Sequence, residues 1–462
     1  MGANRGARKT VRIGAGQGFY GDTFFPALEI AQKGDVQYIS FDALAELTLA
    51  ILQKDRQKDP ALGYTRDLPI FMRYLLPVCR EKGIKLITNS GGINPNSAME
   101  KVLTVAKQMG LTGLKVGMVT GDDVHPRIDE LRTKGVTFEN VDTGESFDKI
   151  KDRVLFACAY VGAEPIVEAL RQGADVIVTG RVNDAALFLA PMIHEHGWKM
   201  NDYDRLAAGT LLGHILECSA QATGGNWSGD WWNIPMMERM GYPIAEVSAD
   251  GSAIITKAPD TGGRVSFDTV KEQLLYEVHD PRRYLSPDVI ADFTSATFKD
   301  VGKDRVSVTG VRGAAPPTTL KSIIGYQNGW MGQGLMGYTW PDALLKARKA
   351  DQIIRKQLAM VGVQVEEIYT EYVGWNSIHG PTVPEPGPDA PEVFVRVAIR
   401  TATREEAERL WRFVPYLGLN GPPFIGGTGG SQRARQLLGT WPTLVPREEV
   451  IPNVRVQVKE VV

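Results

Sequence analysis

The sequence predicts an α/β protein: a largely parallel, doubly wound sheet with helices on both faces, followed by a C-terminal α+β domain. Three observations carry that expectation. Short β-branched runs alternate with amphipathic stretches from residue 11 to about residue 225. Glycine is in surplus, with 49 residues where about 7% usage would give roughly 32, and the surplus falls between the periodic segments. Beyond Gly225 a Gly/Trp-rich loop opens a region of more antiparallel texture. Residues 1–235 are therefore expected to form a Rossmann-like domain with glycine-rich strand-end loops, and 236–462 an α+β domain closing over the site.

The elements follow in order. Val11-Arg12-Ile13-Gly14 reads as a strand opening into a loop over 14–22, then a helix over 23–32 ended by Gly34 as a C′ residue. Residues 36–41 form a second strand, 43–53 a second helix and 84–88 a third strand. The polar run Asn89-Ser90-Gly91-Gly92-Ile93-Asn94-Pro95 follows, and a helix starts near Asn96. In that helix Met99, Val102, Leu103, Ala106 and Met109 recur at three- and four-residue steps, giving one apolar face. Strands over 114–120, 154–160 and 175–179 complete the pattern. The first ends in Gly121-Asp122-Asp123 and the last in Gly180-Arg181-Val182-Asn183-Asp184. Ligands of such sheets bind beyond the carboxyl ends of the strands, where these polar loops lie. In the second region, 253–256 and 305–309 read as short strands, 341–361 as one long helix, 392–400 as a strand and 403–414 as a helix. The Pro-rich stretch 381–388 reads as extended and exposed.

Composition narrows the partners. Hydrophobic residues make up 43% and charged residues 23%, and 52 Lys and Arg face 54 Asp and Glu for a net charge of −2. That balance argues against nucleic acid or an anionic membrane as a partner. No apolar run approaches the roughly 18 residues of a membrane span, and the N-terminus, from Met1 to Gly6, has no export signal. Cys79, Cys158 and Cys218 are widely spaced and odd in number, which points to a reducing cytoplasm rather than a disulfide framework.

Several constellations could carry chemistry. Gly14-x-Gly16-x-Gly18-x-x-Gly21 sits between a strand and a helix as a dinucleotide fingerprint does, with Asp42 as the distant acid. Phe19 and Tyr20 are bulky where a pyrophosphate needs bare backbone. A tight turn capped by Asp22, or a substrate loop whose amides face an anion, competes with the nucleotide reading. Asp42 and Glu46 share a face at a helix start, complementing its dipole or serving a site. Asn89, Gly91, Gly92 and Asn94 offer amides and open backbone to a polar ligand, or to a plain turn.

The densest stretch couples Arg181, Asn183 and Asp184 to the run from His214 to Gly225. Arg181 at a strand end suits bidentate capture of a carboxylate or phosphate. Asp184 caps a helix or acts as an acid–base group. His214, Glu217 and Gln221 step along one helix face ahead of Gly224 and Gly225, which favours a site over a buried network. His214 and Glu217 have metal-ligand spacing, but no third ligand is identified and no metal is assigned. His194 and His196 read as surface, and Cys218 as a buried apolar residue. The G-x-S-x-G elbow and the P-loop are absent.

At these residues the chain resembles the acyclic terpene utilisation (AtuA-like) family. The resemblance rests on Ile13-Gly14-Ala15-Gly16 through Asp22, Leu44-Ala45-Glu46-Leu47-Thr48-Leu49-Ala50, and Thr88-Asn89 through Asn94-Pro95. It continues through Gly180-Arg181-Val182-Asn183-Asp184, Leu206-Ala207-Ala208-Gly209-Thr210, Glu217-Cys218-Ser219-Ala220-Gln221-Ala222-Thr223-Gly224-Gly225 and Val270-Lys271-Glu272-Gln273-Leu274-Leu275-Tyr276-Glu277. Asp42 and Asn183 depart from the family pattern. The resemblance implies bacterial catabolism of branched acyclic terpenoids through CoA thioesters. Some relatives carry a fused C-terminal segment of about a hundred residues; its absence here suggests a small partner protein.

The combined expectation is a cytoplasmic enzyme of lyase or hydratase type acting on a branched carboxylate or acyl-CoA. Asp184, Glu217 and His214 are its acid–base candidates. Gly16, Gly18, Asp22, Asn89, Gly91, Gly92, Asn94, Arg181, Asn183, Gln221, Gly224 and Gly225 are its substrate-binding candidates, and Trp227, Trp231 and Trp232 shape an apolar wall. No cofactor is implied beyond CoA as part of a substrate. Self-association is expected. A non-catalytic acyl-binding scaffold and a hydrolase are the competing readings.

Overall fold

The apolar run after Thr10 forms β1 (Thr10–Gln17), buried from Ile13 onward. The protein is described as a computed structural model over residues 10–384 and 390–462. The N-terminal segment and stretch 385–389 of the Pro-rich loop lie outside the described residues. α1 (Phe25–Lys33) follows, then β2 (Tyr38–Phe41), α2 (Glu46–Lys58), α3 (Leu68–Lys82), β3 (Lys85–Thr88), α4 (Pro95–Gln108) and β4 (Lys115–Thr120). α5 (Ile128–Thr133), β5 (Val154–Ala159), α6 (Glu164–Arg171), β6 (Val176–Thr179), α7 (Ala186–His196) and α8 (Tyr203–Glu217) come next. The chain then forms β7 (Pro243–Ser248), β8 (Ala253–Lys257), α9 (Phe267–Leu275), β9 (Tyr284–Leu285) and β10 (Ile290–Asp292). β11 (Thr297–Gly302), β12 (Arg305–Thr309), β13 (Arg312–Ala314) and the long β14 (Thr319–Thr339) follow. The remaining elements are α10 (Ala343–Met360), β15 (Glu367–Val373), β16 (Glu392–Thr401), α11 (Arg404–Arg409), α12 (Phe413–Asn420), β17 (Ile425–Pro446), α13 (Arg447–Val450) and β18 (Arg455–Glu460).

The chain divides into two compact units. Among the described residues, one comprises 10–151, 155–325 and 440–462, and the other 152–154, 326–384 and 390–439. A division near residue 236 does not coincide with these units, because β7 pairs antiparallel with β1 from Ile244↔Gly14 to Ser248↔Thr10. That pairing draws residues 236–325 into the first unit.

The first unit is built on a ten-stranded sheet of order β11-β12-β8-β7-β1-β2-β3-β6-β4-β18. It is mixed. Its central strands β1, β2, β3, β6 and β4 are parallel, and both flanks are antiparallel. β2 and β6 are buried along their whole length, as strands covered on both faces must be. On β2 the alternation is explicit: Ser40 Oγ donates to Leu187 O of α7 at 2.7 Å, while the Phe41 ring meets Phe71 of α3 edge-on at 5.7 Å.

Two local expectations change. Gly34 closes α1 with φ −76°, not in the left-handed region. Its requirement is space, since a Cβ would press on Ile30 O and Ile244. α2 begins at Glu46, so Asp42 and Glu46 do not share its face. Instead Asp42 N donates to Gln17 O, extending the β1–β2 pairing by one residue.

The second unit carries a sheet of order β15-β16-β14-β17. Val393, Val395, Val397 and Ile399 of β16 face a core shared with Ala347, Ile354 and Leu358 of α10. The long-helix expectation over 341–361 corresponds to α10. The helix expected over 403–414 is broken into α11, a 3₁₀ turn and α12.

Candidate functional site

Three neighbouring parallel strands end at one sheet edge and each delivers a polar residue there. β2 is followed by Asp42, β3 by Asn89, and β6 by Gly180 and Arg181. Asn89 is fully buried and ties two of these ends together. Its Oδ1 accepts from Ala43 N at 2.7 Å and its Nδ2 donates to Asp42 Oδ1 at 2.6 Å. Arg181 is only 1% exposed. Its Nε donates to Val182 O at 2.9 Å, its Nη1 to Leu44 O at 2.6 Å and its Nη2 to Asp184 Oδ1, with the guanidinium 4.3 Å from the Tyr160 ring centroid. These donors hold the protein's own acceptors, so Arg181 stands as an organiser of the site rather than an open carboxylate clamp. Tyr160 in turn donates to Glu46, which Lys321 also contacts.

α8 supplies the second half. It is buried continuously from Leu206 to Glu217, and the i,i+3 spacing brings His214 Nδ1 to 2.7 Å from Glu217 Oε1. Glu217 Oε2 and His214 Nε2 are buried without a hydrogen-bond partner. The imidazole lies 5.4 Å from the Tyr284 ring and 5.7 Å from Phe293, which stack on each other at 4.6 Å.

Burial sets the protonation of this cluster. It raises the Asp42, Asp184 and Glu217 carboxyls; Asp184 adds to the rise at the other two, and Arg181 pulls all three back. It lowers His214 to about 4, against the opposing pull of the Leu274 carbonyl. At neutral pH the imidazole is therefore uncharged, and Glu217 holds its proton far more strongly than an exposed glutamate. Glu46 differs: burial raises it, but Lys321 and Tyr160 outweigh burial and bring it to about 2.

A family model described as acyclic terpene utilisation family protein AtuA matches residues 11–456. The chain belongs to the acyclic terpene utilisation family. No curated protein and no solved structure matches it.

In this AtuA family member the remaining candidates take varied places. Gly14 and Gly16 lie within β1 rather than in a phosphate loop, and a Cβ on Gly16 would strike the Phe41 ring. Close sheet packing, not a ligand, accounts for Gly16. Gly18 presses on Ser219, two residues after Glu217, so it does approach the cluster. The Asp22 carboxylate accepts from Gly18 N, Thr23 N, Ser219 Oγ and Tyr242 Oη. With four protein donors it clamps the loop instead of offering itself to substrate.

Gly91 lies against the Thr179 carbonyl and Gly92 has φ +55°. Asn94 caps α4 by accepting from Ser97 N and donates to Pro60 O and Leu62 O. Gly92 and Asn94 line a separate cavity with Asp122. Asp184 does not cap α7, whose N-cap is Ala185; its carboxylate meets Arg181 instead. Asn183 Oδ1 is buried without a partner. Gln221 lies on a 3₁₀ turn beyond the end of α8, so it is off the helix face of His214 and Glu217. It is linked to them through Gln273, which accepts from Gln221 and donates to His214 O.

Gly224 has φ +95° and packs against Ile234, while Gly225 packs against Ala220. Gly225, Gln221, Trp227, Gln273 and Tyr276 border a cavity of about 260 Å³. Trp227 is covered by Arg264 at 4.6 Å, whereas Trp231 and Trp232 are exposed. Gln273 and Tyr284 join the cluster with no functional role expected of them from sequence, and Asp42, weighed there as a site acid, is tied in through Asn89. Asp42 had a signal, an acid at a strand end; Tyr284 had none. Among the described residues no three His, Cys, Asp or Glu side chains group as metal ligands, and no helix is long and apolar enough to cross a membrane.

Proposed function

We propose that the protein is an acid–base enzyme of lyase or hydratase type, acting on a branched carboxylic acid or its CoA thioester. The observation that carries this reading is the buried Glu217–His214 pair, with an unpartnered carboxyl oxygen and a carboxyl held toward its protonated form. A group of that kind suits proton delivery near neutral pH. In the hydration direction Asp184, half-buried and with its ionised form favoured by the Arg181 guanidinium, takes a proton from water. The oxygen then bonds to the β-carbon of an unsaturated thioester, and Glu217 gives its proton to the α-carbon. Dehydration reverses each transfer. Arg181 positions Asp184, His214 positions Glu217, and the Trp227 cavity accommodates the apolar chain.

The committed donors of Arg181 favour a second reading, a scaffold subunit that binds an acyl ligand without turning it over. Turnover of branched enoyl-CoA thioesters separates the two. The enzyme reading expects hydration by the purified protein or its complex with a partner, falling about 10²-fold in Glu217→Gln with binding retained. Binding without turnover under both conditions supports the scaffold. A cytoplasmic location and self-association belong to the same proposal.

A further inference from the structure

A cavity of about 410 Å³ lies at the carboxyl edge of the same sheet, lined by the loop from β3 into α4, the turn after β4, and β5. Its polar lining includes Asp122, Asp123, Arg56, His125 and Asn96. Asp122 is 7% exposed, and its Oδ2 accepts from Arg181 N at 2.7 Å. Beyond Asp122's own amide N–H, the carboxylate has Arg181 N as its donor among the described residues. Arg56 donates through Nη1 to Ile93 O and is otherwise exposed, while Asn96 stands in the first turn of α4. Leu155, Phe156 and Cys158 supply an apolar wall.

We propose that this cavity is a binding site for a small hydroxylated organic anion, whose hydroxyl donates to Asp122 and whose anionic group faces Arg56 and the N-terminal turn of α4. A carboxylate with one donor from a neighbouring residue has acceptor capacity left for a donor on the ligand. A guanidinium calls for an anion, and the dipole of α4 adds to its pull although Asn94 already takes the Ser97 N–H. The two demands meet in one molecule carrying both groups. This site does not depend on acid–base chemistry at Glu217, and Arg181, whose backbone N–H donates to Asp122, links the two. The charged and titratable groups facing Asp122 are Asp123, Arg181 and Cys158, with Arg56 and His125 acting on Asp123. Burial places the Asp122 carboxyl at about 7, so it is mostly ionised at pH 8.

Ligand-observed NMR titration at pH 8 with 3-hydroxybutyrate, butyrate and 1,3-butanediol tests the proposal. The expected result is that 3-hydroxybutyrate binds at least about tenfold more tightly than either probe lacking one group. Asp122→Asn, which keeps an acceptor for Arg181 N, should remove about tenfold of that affinity, and Asn96→Trp should block binding at the mouth. Equal binding of the three probes, or 3-hydroxybutyrate affinity unchanged in both variants, would overturn it. Binding rather than turnover is read, so the outcome is decided whatever Glu217 does.

Discussion

Replacing Asp122 with Asn should stabilise the protein, and more so as pH rises. The rise of the Asp122 carboxyl from an ordinary 3.8 to about 7 comes first from burial, with Asp123 adding to it and the Arg181 N–H opposing. The sign follows from proton counting. Between those two values the folded state holds a proton that the unfolded state has lost, so stability falls as pH climbs through the window. Below 3.8 the carboxyl costs nothing in this respect; above about 7 the full cost is present, about 4 kcal/mol at roughly 1.4 kcal/mol per pH unit. Asn is nearly isosteric and its carbonyl can still accept from Arg181 N, so the variant sheds the charge without orphaning the partner. Denaturant titrations of wild type and Asp122→Asn at pH 4, 6 and 8 read the difference directly. The gain should be near zero at pH 4 and reach about 4 kcal/mol at pH 8. A gain independent of pH, or a loss at pH 8, would refute the reasoning.

Two further perturbations probe how the site is held. Arg181→Lys cannot satisfy Leu44 O, Val182 O and Asp184 from one ammonium, and should cost about 3 kcal/mol by chemical denaturation; an unchanged midpoint would show that the fork is dispensable. Gly18→Ala drives a methyl into Ser219, which has φ +51°, and should cost about 1–3 kcal/mol. Adding Ser219→Gly, which suits that φ and removes the obstructing hydroxymethyl group, should restore part of the loss in a thermal melt.

What the sequence revealed depended on whether the signal was local. The strand ends carrying Asn89 and Arg181 were legible because each apolar run stops in a polar, glycine-bearing loop. α3 went unread: Pro77 lies inside the helix and reads as a breaker in sequence. The flanks of the main sheet were hidden for a different reason. β7 finds β1 across more than two hundred residues, and local alternation announces antiparallel texture without naming the partner. Gly14 and Gly16 looked like a nucleotide loop because spacing does not show where a strand ends. Their need for glycine comes from Ile30 and Phe41, supplied by tertiary packing. Glu217 stands out as an acid–base candidate from its sequence neighbours, and burial raises its carboxyl. The burial that raises Asp42 and Asp122 emerges only when loops from several strands converge.

In the proposed reaction Glu217 exchanges a proton with the α-carbon of a thioester substrate. That exchange is tested most directly by incubating the protein with a branched 2-enoyl-CoA in deuterated water and reading the hydrated product by mass spectrometry. The expected product carries one deuterium on the α-carbon, formed about 10²-fold more slowly by Glu217→Gln although that variant melts with the wild type. Equal rates of deuterium incorporation by the two proteins would contradict it.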